Sequence, residues 1–314
     1  MALFARSSSF VSFALPMMVM LSSCSPRPRT LPACMSADAG PPVGVAREAL
    51  AREATLIAAG DIVQCGNAGA ERTAKLLDGM EGTIAALGDN VYESGSLDEF
   101  LDCYEPTWGR HRARTRPAVG NHEYGTPRAG AYFAYFCGAA GEPFKGWYSY
   151  ELGSWHVVVL NSNCDDVDCG EGSEQERWLR ADLAAHPTKC TAAYWHHPPF
   201  SSGEHGNNPK VGALFRALSE AGAEVVLTGH DHDYERFAPL SADGELDEAR
   251  GIRTFVIGTG GRDARPFNRV KAHSMFRRTD LLGVLALTLR EDHYEWRFVR
   301  DDGSITDTGR GECH

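Results

Sequence analysis

Hydrophobic positions in this chain fall into short continuous runs, and the runs stop in the same way. Leu56-Ile57-Ala58-Ala59-Gly60 leads into Asp61, Thr83-Ile84-Ala85-Ala86-Leu87 into Gly88-Asp89-Asn90, and Arg116-Pro117-Ala118-Val119-Gly120 into Asn121-His122-Glu123. Thr191-Ala192-Ala193-Tyr194-Trp195 leads into His196-His197, and Val225-Val226-Leu227-Thr228-Gly229 into His230-Asp231-His232. Short apolar runs bounded by turn signals read as buried strands. Between them the period changes. Val211, Leu214, Phe215 and Leu218 have the i, i+3, i+4, i+7 spacing of a helix with one face in the core. Ser173-Glu174-Gln175-Glu176 has the form of a capping box, opening a helix that carries Trp178, Leu179 and Leu183 on one side. Thr254 to Gly258, Gly283 to Leu289 and Tyr294 to Val299 read as three more strands, and the aromatics Tyr124, Tyr132, Phe133, Tyr135, Phe136, Trp147, Tyr148 and Tyr150 as a hydrophobic cover over a sheet. Alternating strand-like and helical segments argue for α/β layers, and residues 54–314, which carry no internal repeat, for one large domain.

The run endings carry the chemistry. In open α/β sheets ligands collect beyond the carboxyl ends of strands, which is where Asp89 falls. A carboxylate has two oxygens and can join two metal ions, and Tyr92, three residues on, can return its phenol oxygen to the same spot. Asp, Asn and His endings with no thiolate among them suit iron, zinc or manganese. One buried histidine is ordinary core; five such endings in one chain are not.

Together, Gly60-Asp61, Gly88-Asp89-Asn90-Val91-Tyr92, Gly120-Asn121-His122-Glu123, Trp195-His196-His197-Pro198 and Gly229-His230-Asp231-His232 resemble the five blocks of the calcineurin-like metallophosphoesterases, most nearly the purple acid phosphatase branch. The resemblance runs from roughly residue 54 to residue 300. It implies a four-layer α-β-β-α sandwich, two packed mixed sheets flanked by helices. It also implies a binuclear centre in which one ion takes Asp61, Asp89, Tyr92 and His232, and the other Asp89, Asn121, His196 and His230. Many relatives place a histidine two residues after the first aspartate; here that position is Val63, and the branch lacking that histidine uses a tyrosine where Tyr92 stands. Tyrosinate is a hard anionic ligand, so the implied pair is Fe(III) with a divalent Fe, Zn or Mn. His122 in the family contacts the phosphate or moves a proton. Relatives often place a leaving-group histidine where His205 lies, in Ser201-Ser202-Gly203-Glu204-His205-Gly206; an exposed loop histidine without that role is the alternative. Alternate strand residues face opposite ways, so His197 is expected behind the ligands rather than among them. Gly258-Thr259-Gly260-Gly261 lacks the Lys-Ser/Thr of a phosphate loop and reads as a turn.

The activity implied is hydrolysis of phosphate monoesters of small molecules by in-line attack of a metal-bound hydroxide. A phosphodiesterase acting on cyclic nucleotides or glycerophosphodiesters is one alternative, and a non-catalytic metal- or phosphate-binding lipoprotein another. A formal charge of −11, or −12 without Arg6, makes the chain a poor partner for nucleic acid.

Arg6 followed by the apolar stretch Phe10 to Leu21 reads as a signal peptide over residues 1–23, too short to span a bilayer. Leu21-Ser22-Ser23-Cys24 resembles a lipobox, which makes Cys24 the lipidated first residue of an exported protein of the periplasm or cell envelope. A signal peptide cut further on, leaving Cys24 a thiol in a secreted protein, is the alternative. Residues 24–53, rich in Pro, Ala and Gly, read as a flexible tether. Setting Cys24 aside leaves Cys34, Cys65, Cys103, Cys137, Cys164, Cys169, Cys190 and Cys313, an even set that suits disulfides in an exported chain. Cys164 and Cys169 flank Asp165-Asp166-Val167-Asp168 and suit a local staple. No Cys-x-x-Cys spacing points to structural zinc.

Overall fold

The computed structural model describes Met1 and residues 53–314; the signal peptide, Cys24 and the tether up to residue 52 lie outside the described residues. Two sheets carry the architecture. The first has the spatial order β15 (Ile305–Glu312), β14 (His293–Arg300), β13 (Gly283–Arg290), β1 (Glu53–Ala59), β3 (Thr83–Leu87), β5 (Thr115–Ala118). The second runs β12 (Ser274–Arg278), β10 (Tyr234–Leu240), β11 (Ile252–Ile257), β9 (Val225–Thr228), β8 (Cys190–Tyr194), β7 (Trp155–Val159), β6 (Tyr148–Leu152). Each is mixed: β1, β3 and β5 are parallel, as are β11, β9, β8 and β7, with antiparallel strands at the margins. A two-stranded ribbon pairs β2 (Val63–Gln64) with β4 (Val91–Tyr92).

The continuous apolar runs have a simple cause. Both faces of these strands are covered, so successive residues point into different cores. Val157, Val159, Ala192, Tyr194, Val225 and Leu227 pack with Leu56, Ile57, Ile84 and Leu285 in the core shared with the first sheet. Their neighbours Val158, Ala193, Trp195 and Val226 pack with Leu179 and with Val211, Leu214, Phe215 and Leu218. The helices behind the second sheet are thus α4 (Glu174–Ala185) and α5 (Gly212–Glu220). On the first sheet lie α1 (Gly69–Asp78), through Ala70, Ala74 and Leu77, and an aromatic cover of Tyr132, Tyr135 and Phe136 joined by Phe100 and Tyr104, whereas Tyr148 and Tyr150, expected in that cover, lie in strand β6 and Trp147 packs in the second core. Of that cover, α3 (Gly130–Phe136) supplies three rings, while α2 (Leu97–Glu99) opens the segment holding Phe100 and Tyr104. This is the four-layer α-β-β-α arrangement.

Two local readings are corrected. Ser173 Oγ does accept the Glu176 N–H (3.1 Å), but Glu176 does not return its carboxylate to Ser173; it accepts from Gly172 N–H and pairs with Arg180. Only half of the capping box forms, because an arginine one turn on competes for the carboxylate. Val211 lies in the tight turn that precedes α5 rather than in the helix itself. Disulfides join Cys65 to Cys103, Cys164 to Cys169 and Cys190 to Cys313, and Cys137 is disulfide-bonded as well.

Candidate metal centre

The parallel strands of both sheets end at one place. β1 delivers Asp61, β3 Asp89, β5 Asn121 and His122, β8 His196 and β9 His230 with His232. The backbone ties the strand ends together: Gly60 N–H donates across the sheets to Ile257 C=O (2.9 Å), while Asp61 N–H to Gly88 C=O (3.1 Å) joins the ends of β1 and β3 and Gly229 N–H to His196 C=O (3.0 Å) those of β9 and β8. At three of the residues the chain turns through the left-handed region, with φ of 59° at Asp61, 46° at Asp89 and 72° at His230. Such conformations are costly for residues other than glycine and persist where the surroundings over-determine them.

The side chains converge as closely as the backbone. Tyr92 Oη lies 2.7 Å from Asp61 Oδ1, 3.0 Å from Asp89 Oδ2 and 3.3 Å from His232 Nε2. His196 Nε2 lies 3.0 Å from Asn121 Oδ1, 3.3 Å from Asp89 Oδ2 and 3.2 Å from His230 Nδ1. Asp89 Oδ2 therefore faces both groups. The tautomers are fixed from outside: His196 Nδ1–H donates to Leu87 C=O (2.9 Å) and His232 Nδ1–H to Asp263 C=O (2.9 Å), which turns each Nε2 lone pair inward. Carboxylate oxygens, an amide oxygen and imidazole lone pairs then meet in a buried space with one phenol proton to share. Such a set is rich in acceptors and poor in donors, and it fits cations.

The electrostatics carry the same message. Burial opposes the charged form of Asp89, yet His196 and His122 hold its carboxyl far below the usual range. Burial likewise opposes His196⁺, but the Asp89 carboxylate overcomes it and pushes the imidazole up to about 9. Burial, with Asp61 and Asp89 beside it, drives the Tyr92 phenol well above its ordinary value, and burial with His196 and His197 holds His230 neutral. The cluster calls for positive charge between its anions.

The other residues singled out in the sequence are placed around this group. His122 donates its backbone N–H to Asp89 Oδ1 (2.9 Å); its Nε2 is 3.8 Å from Asp89 Oδ2 and its ring lies 4.3 Å from that of Tyr92. The exposed His205 ring lies 4.3 Å from the His230 ring. His197 packs behind, 4.4 Å from the His230 ring with Nδ1 2.9 Å from Ser162 Oγ, and burial and His196 depress it to about 3. Val63 is buried in the core, where no ligand is offered. The Gly258–Gly261 segment is a turn that packs on the first loop, with Gly260 N–H donating to Gly60 C=O (2.8 Å).

Two acids were not assigned a role from the sequence. Glu123 is fully buried and accepts four backbone N–H groups, from Gly120 (2.6 Å), Asn90 (2.8 Å), Asp89 (3.1 Å) and Val91 (3.3 Å), so it shapes the loop that presents Asp89. Burial, and Asp89 nearby, raise it to about 8. Asp231, between two ring-bearing neighbours, points the other way: Oδ1 accepts His205 N–H (2.8 Å) and Oδ2 accepts Ser201 Oγ–H, which anchors the His205 loop. The signal for both was their place, an acid inside a block of ligand types.

The chain belongs to the calcineurin-like phosphoesterase family, whose model matches residues 47–234. Within it, the likeness is to purple acid phosphatases. Purple acid phosphatase 15 of Arabidopsis thaliana is 28% identical over 183 residues, which is 51% of this chain and 33% of that protein. An uncharacterized protein of Mycobacterium tuberculosis is 30% identical over 193 residues, 48% of this chain and 36% of that one. The purple acid phosphatase from yellow lupin seeds has the same fold, with a TM-score of 0.68 at 17% identity over 82% of this chain and 53% of that one. The chain spans about a third of the length of the curated relatives it matches. Membership implies a dinuclear metal centre. Among the described residues no helix is long and apolar enough to cross a membrane.

Proposed function

We propose that this protein is a binuclear metal phosphoesterase that hydrolyses phosphate monoesters. The observation that carries the reading is the donor-poor cluster at the strand ends, with Asp89 Oδ2 facing Tyr92 Oη at 3.0 Å and His196 Nε2 at 3.3 Å. Asp61, Asp89, Tyr92 and His232 would hold one ion, and Asp89, Asn121, His196 and His230 the other. Bound there, two ions supply Lewis acidity that lowers the pKa of water and neutralises charge on the phosphoryl oxygens. The protein supplies the rest. Leu87 and Asp263 carbonyls hold His196 and His232 in the tautomer that turns the Nε2 lone pair inward. His122, fixed by Nδ1–H donation to Glu93 C=O (2.6 Å), presents Nε2 at the cleft to a phosphoryl oxygen. His205 stands at the opposite rim to protonate the leaving oxygen, its loop held by Asp231. No nucleophilic side chain is required by this arrangement.

The phenolate of Tyr92 favours Fe(III) in the first position, with Fe, Zn or Mn as the divalent partner. Export to the periplasm or cell envelope, with a signal peptide over residues 1–23, a tether over 24–53 and lipid on Cys24, belongs to the same proposal, as does a phosphoesterase domain over 54–314; the disulfides among the described residues support an oxidising compartment. The test is kcat/KM for 4-nitrophenyl phosphate against bis(4-nitrophenyl) phosphate, with metal analysis of the same sample. The reading expects the monoester to be preferred and two metals per chain. Preference for the diester replaces it with a phosphodiesterase, and turnover of neither by metal-loaded protein replaces it with a binding function.

A further inference from the structure

In this acidic chain the loop of residues 262–273 is basic, and it borders the cleft. Residues 262–273 hold Arg262, Arg265, Arg269 and Lys271 against a single acid, Asp263, a net +3 in a chain of −11. The backbone of this loop is sewn to both sides of the centre. Arg262 N–H donates to Asp61 C=O (2.9 Å), Arg265 N–H to His232 C=O (3.0 Å), Asn268 N–H to Ser202 C=O (2.9 Å) and Lys271 N–H to Ser202 Oγ (2.9 Å). The backbone thereby places positions 262 and 265 beside Asp61 and His232, and positions 268 and 271 beside Ser202, in the loop that carries His205. Arg262 lies over the Tyr92 ring, 4.7 Å from its centroid, and Arg265 Nη1 is 3.2 Å from His205 Nε2. Each of these two guanidiniums shares one N–H with a carboxylate, Glu93 at 3.1 Å and Glu204 at 3.2 Å, and keeps further donors. Among the described residues Arg269 and Lys271 have no carboxylate within ion-pair distance.

We propose that Arg265, Arg269 and Lys271 form a second anion subsite on the leaving-group side, so that the preferred substrates are phosphate esters or anhydrides whose leaving group bears another phosphate. This deepens the phosphoesterase reading and rests on it for the position of the scissile phosphate. Cations beside a centre that binds one phosphate, two of the three without a carboxylate partner, raise the local concentration of polyanions and grip the portion released, while a neutral aryl leaving group gains nothing from them.

The experiment compares kcat/KM for 4-nitrophenyl phosphate, inorganic triphosphate and a hexose bisphosphate, in wild type and in the double variant Arg269→Ser/Lys271→Ser. The wild type is expected to favour at least one of the multiply phosphorylated substrates by about tenfold, mainly through KM, the scale of one or two charged hydrogen bonds. The double variant should lose that ratio, and added salt should shrink it in the wild type. Preference for triphosphate alone assigns a polyphosphate substrate, and preference for the bisphosphate alone an organic one. An unchanged ratio in the double variant overturns the subsite and leaves the phosphoesterase intact. Equilibrium binding separates the two failures: if nothing is turned over, the subsite still requires triphosphate to bind the wild type about tenfold more tightly than the double variant, with orthophosphate affected less. Equal loss for both anions overturns it.

Discussion

At the scale of single residues the candidate site is defined by groups that share one another's lone pairs, and removing one should expose that sharing. Asp89 faces both halves, so Asp89→Ala is expected to lose most bound metal and to lower turnover about a hundredfold or more, as measured by metal analysis and steady-state kinetics on one preparation. Tyr92→Phe keeps the packed ring and removes only the oxygen. Under the proposed assignment a Tyr92 phenolate on Fe(III) would transfer charge in visible light, so in iron-loaded protein this variant should lose the violet or pink band of the wild type while keeping part of the metal; a coloured variant would overturn the ligand assignment. Glu123 makes a different kind of prediction. Its two oxygens accept four backbone N–H groups, and Glu123→Gln turns an amide NH₂ toward some of those donors. A loss of about 2–4 kcal/mol in chemical denaturation is expected, with reduced metal retention because the Asp89 loop loses its template. Asp61, Asp89, Asn121, His196 and His230 were readable because each lies at the end of an apolar run. Glu123 and Asp231 were not, since most of their partners are donors on other loops, and a carboxylate's orientation does not show in a string of letters.

At the scale of elements, the strands that build the centre were readable and those that close the sheets were not, for one physical reason. β1, β3, β8 and β9 are buried on both faces and therefore write continuous apolar runs. β15, at the edge of the first sheet, reads Ile-Thr-Asp-Thr-Gly-Arg-Gly-Glu, and no apolar pattern announces it. Its Gly309 sits under the Trp296 ring, where an added Cβ would lie 2.1 Å from Cζ2, so a residue that normally argues against a strand is the one that lets a tryptophan cover the edge. Likewise β12, the edge of the second sheet, mixes charged and apolar residues, as does β10 beside it, whose Tyr234 and Arg236 bond Asp307 of β15. The turn after β5 is tighter than its sequence suggests. A Cβ on Gly120 would come within 2.1 Å of Asp89 N and 2.2 Å of Asp89 Oδ1. Gly120→Ala must therefore push the β5 turn away from the Asp89 loop. The expected result is destabilisation on the order of 2 kcal/mol or more by thermal unfolding, with weaker metal retention.

At the scale of the whole molecule, stability should depend on a buried acid far from the centre. Glu224 accepts Thr191 N–H at 2.6 Å where β8 and β9 begin, and burial raises its carboxyl to about 7. Its unfolded value is near 4.3. Between those values the folded state holds a proton that the unfolded state has released, so this group's contribution is present at low pH and is lost as pH rises through about 7. Glu224→Gln keeps an acceptor for Thr191 and should flatten the fall in Tm between about pH 5 and 8 relative to wild type; an identical slope would remove Glu224 from the account. The Cys190–Cys313 bridge, whose ends lie 123 positions apart in sequence, has a further consequence. The segment it closes contains His196, His205, His230, His232 and the basic loop, and also the largely exposed connection at residues 242–250 between β10 and β11. A protease that cuts this connection once leaves one strand of a hydrogen-bonded pair on each piece, and the pieces remain covalently joined. Such nicked protein should run as a single species until reductant is added, and should keep the bound metal and the turnover measured for the intact chain.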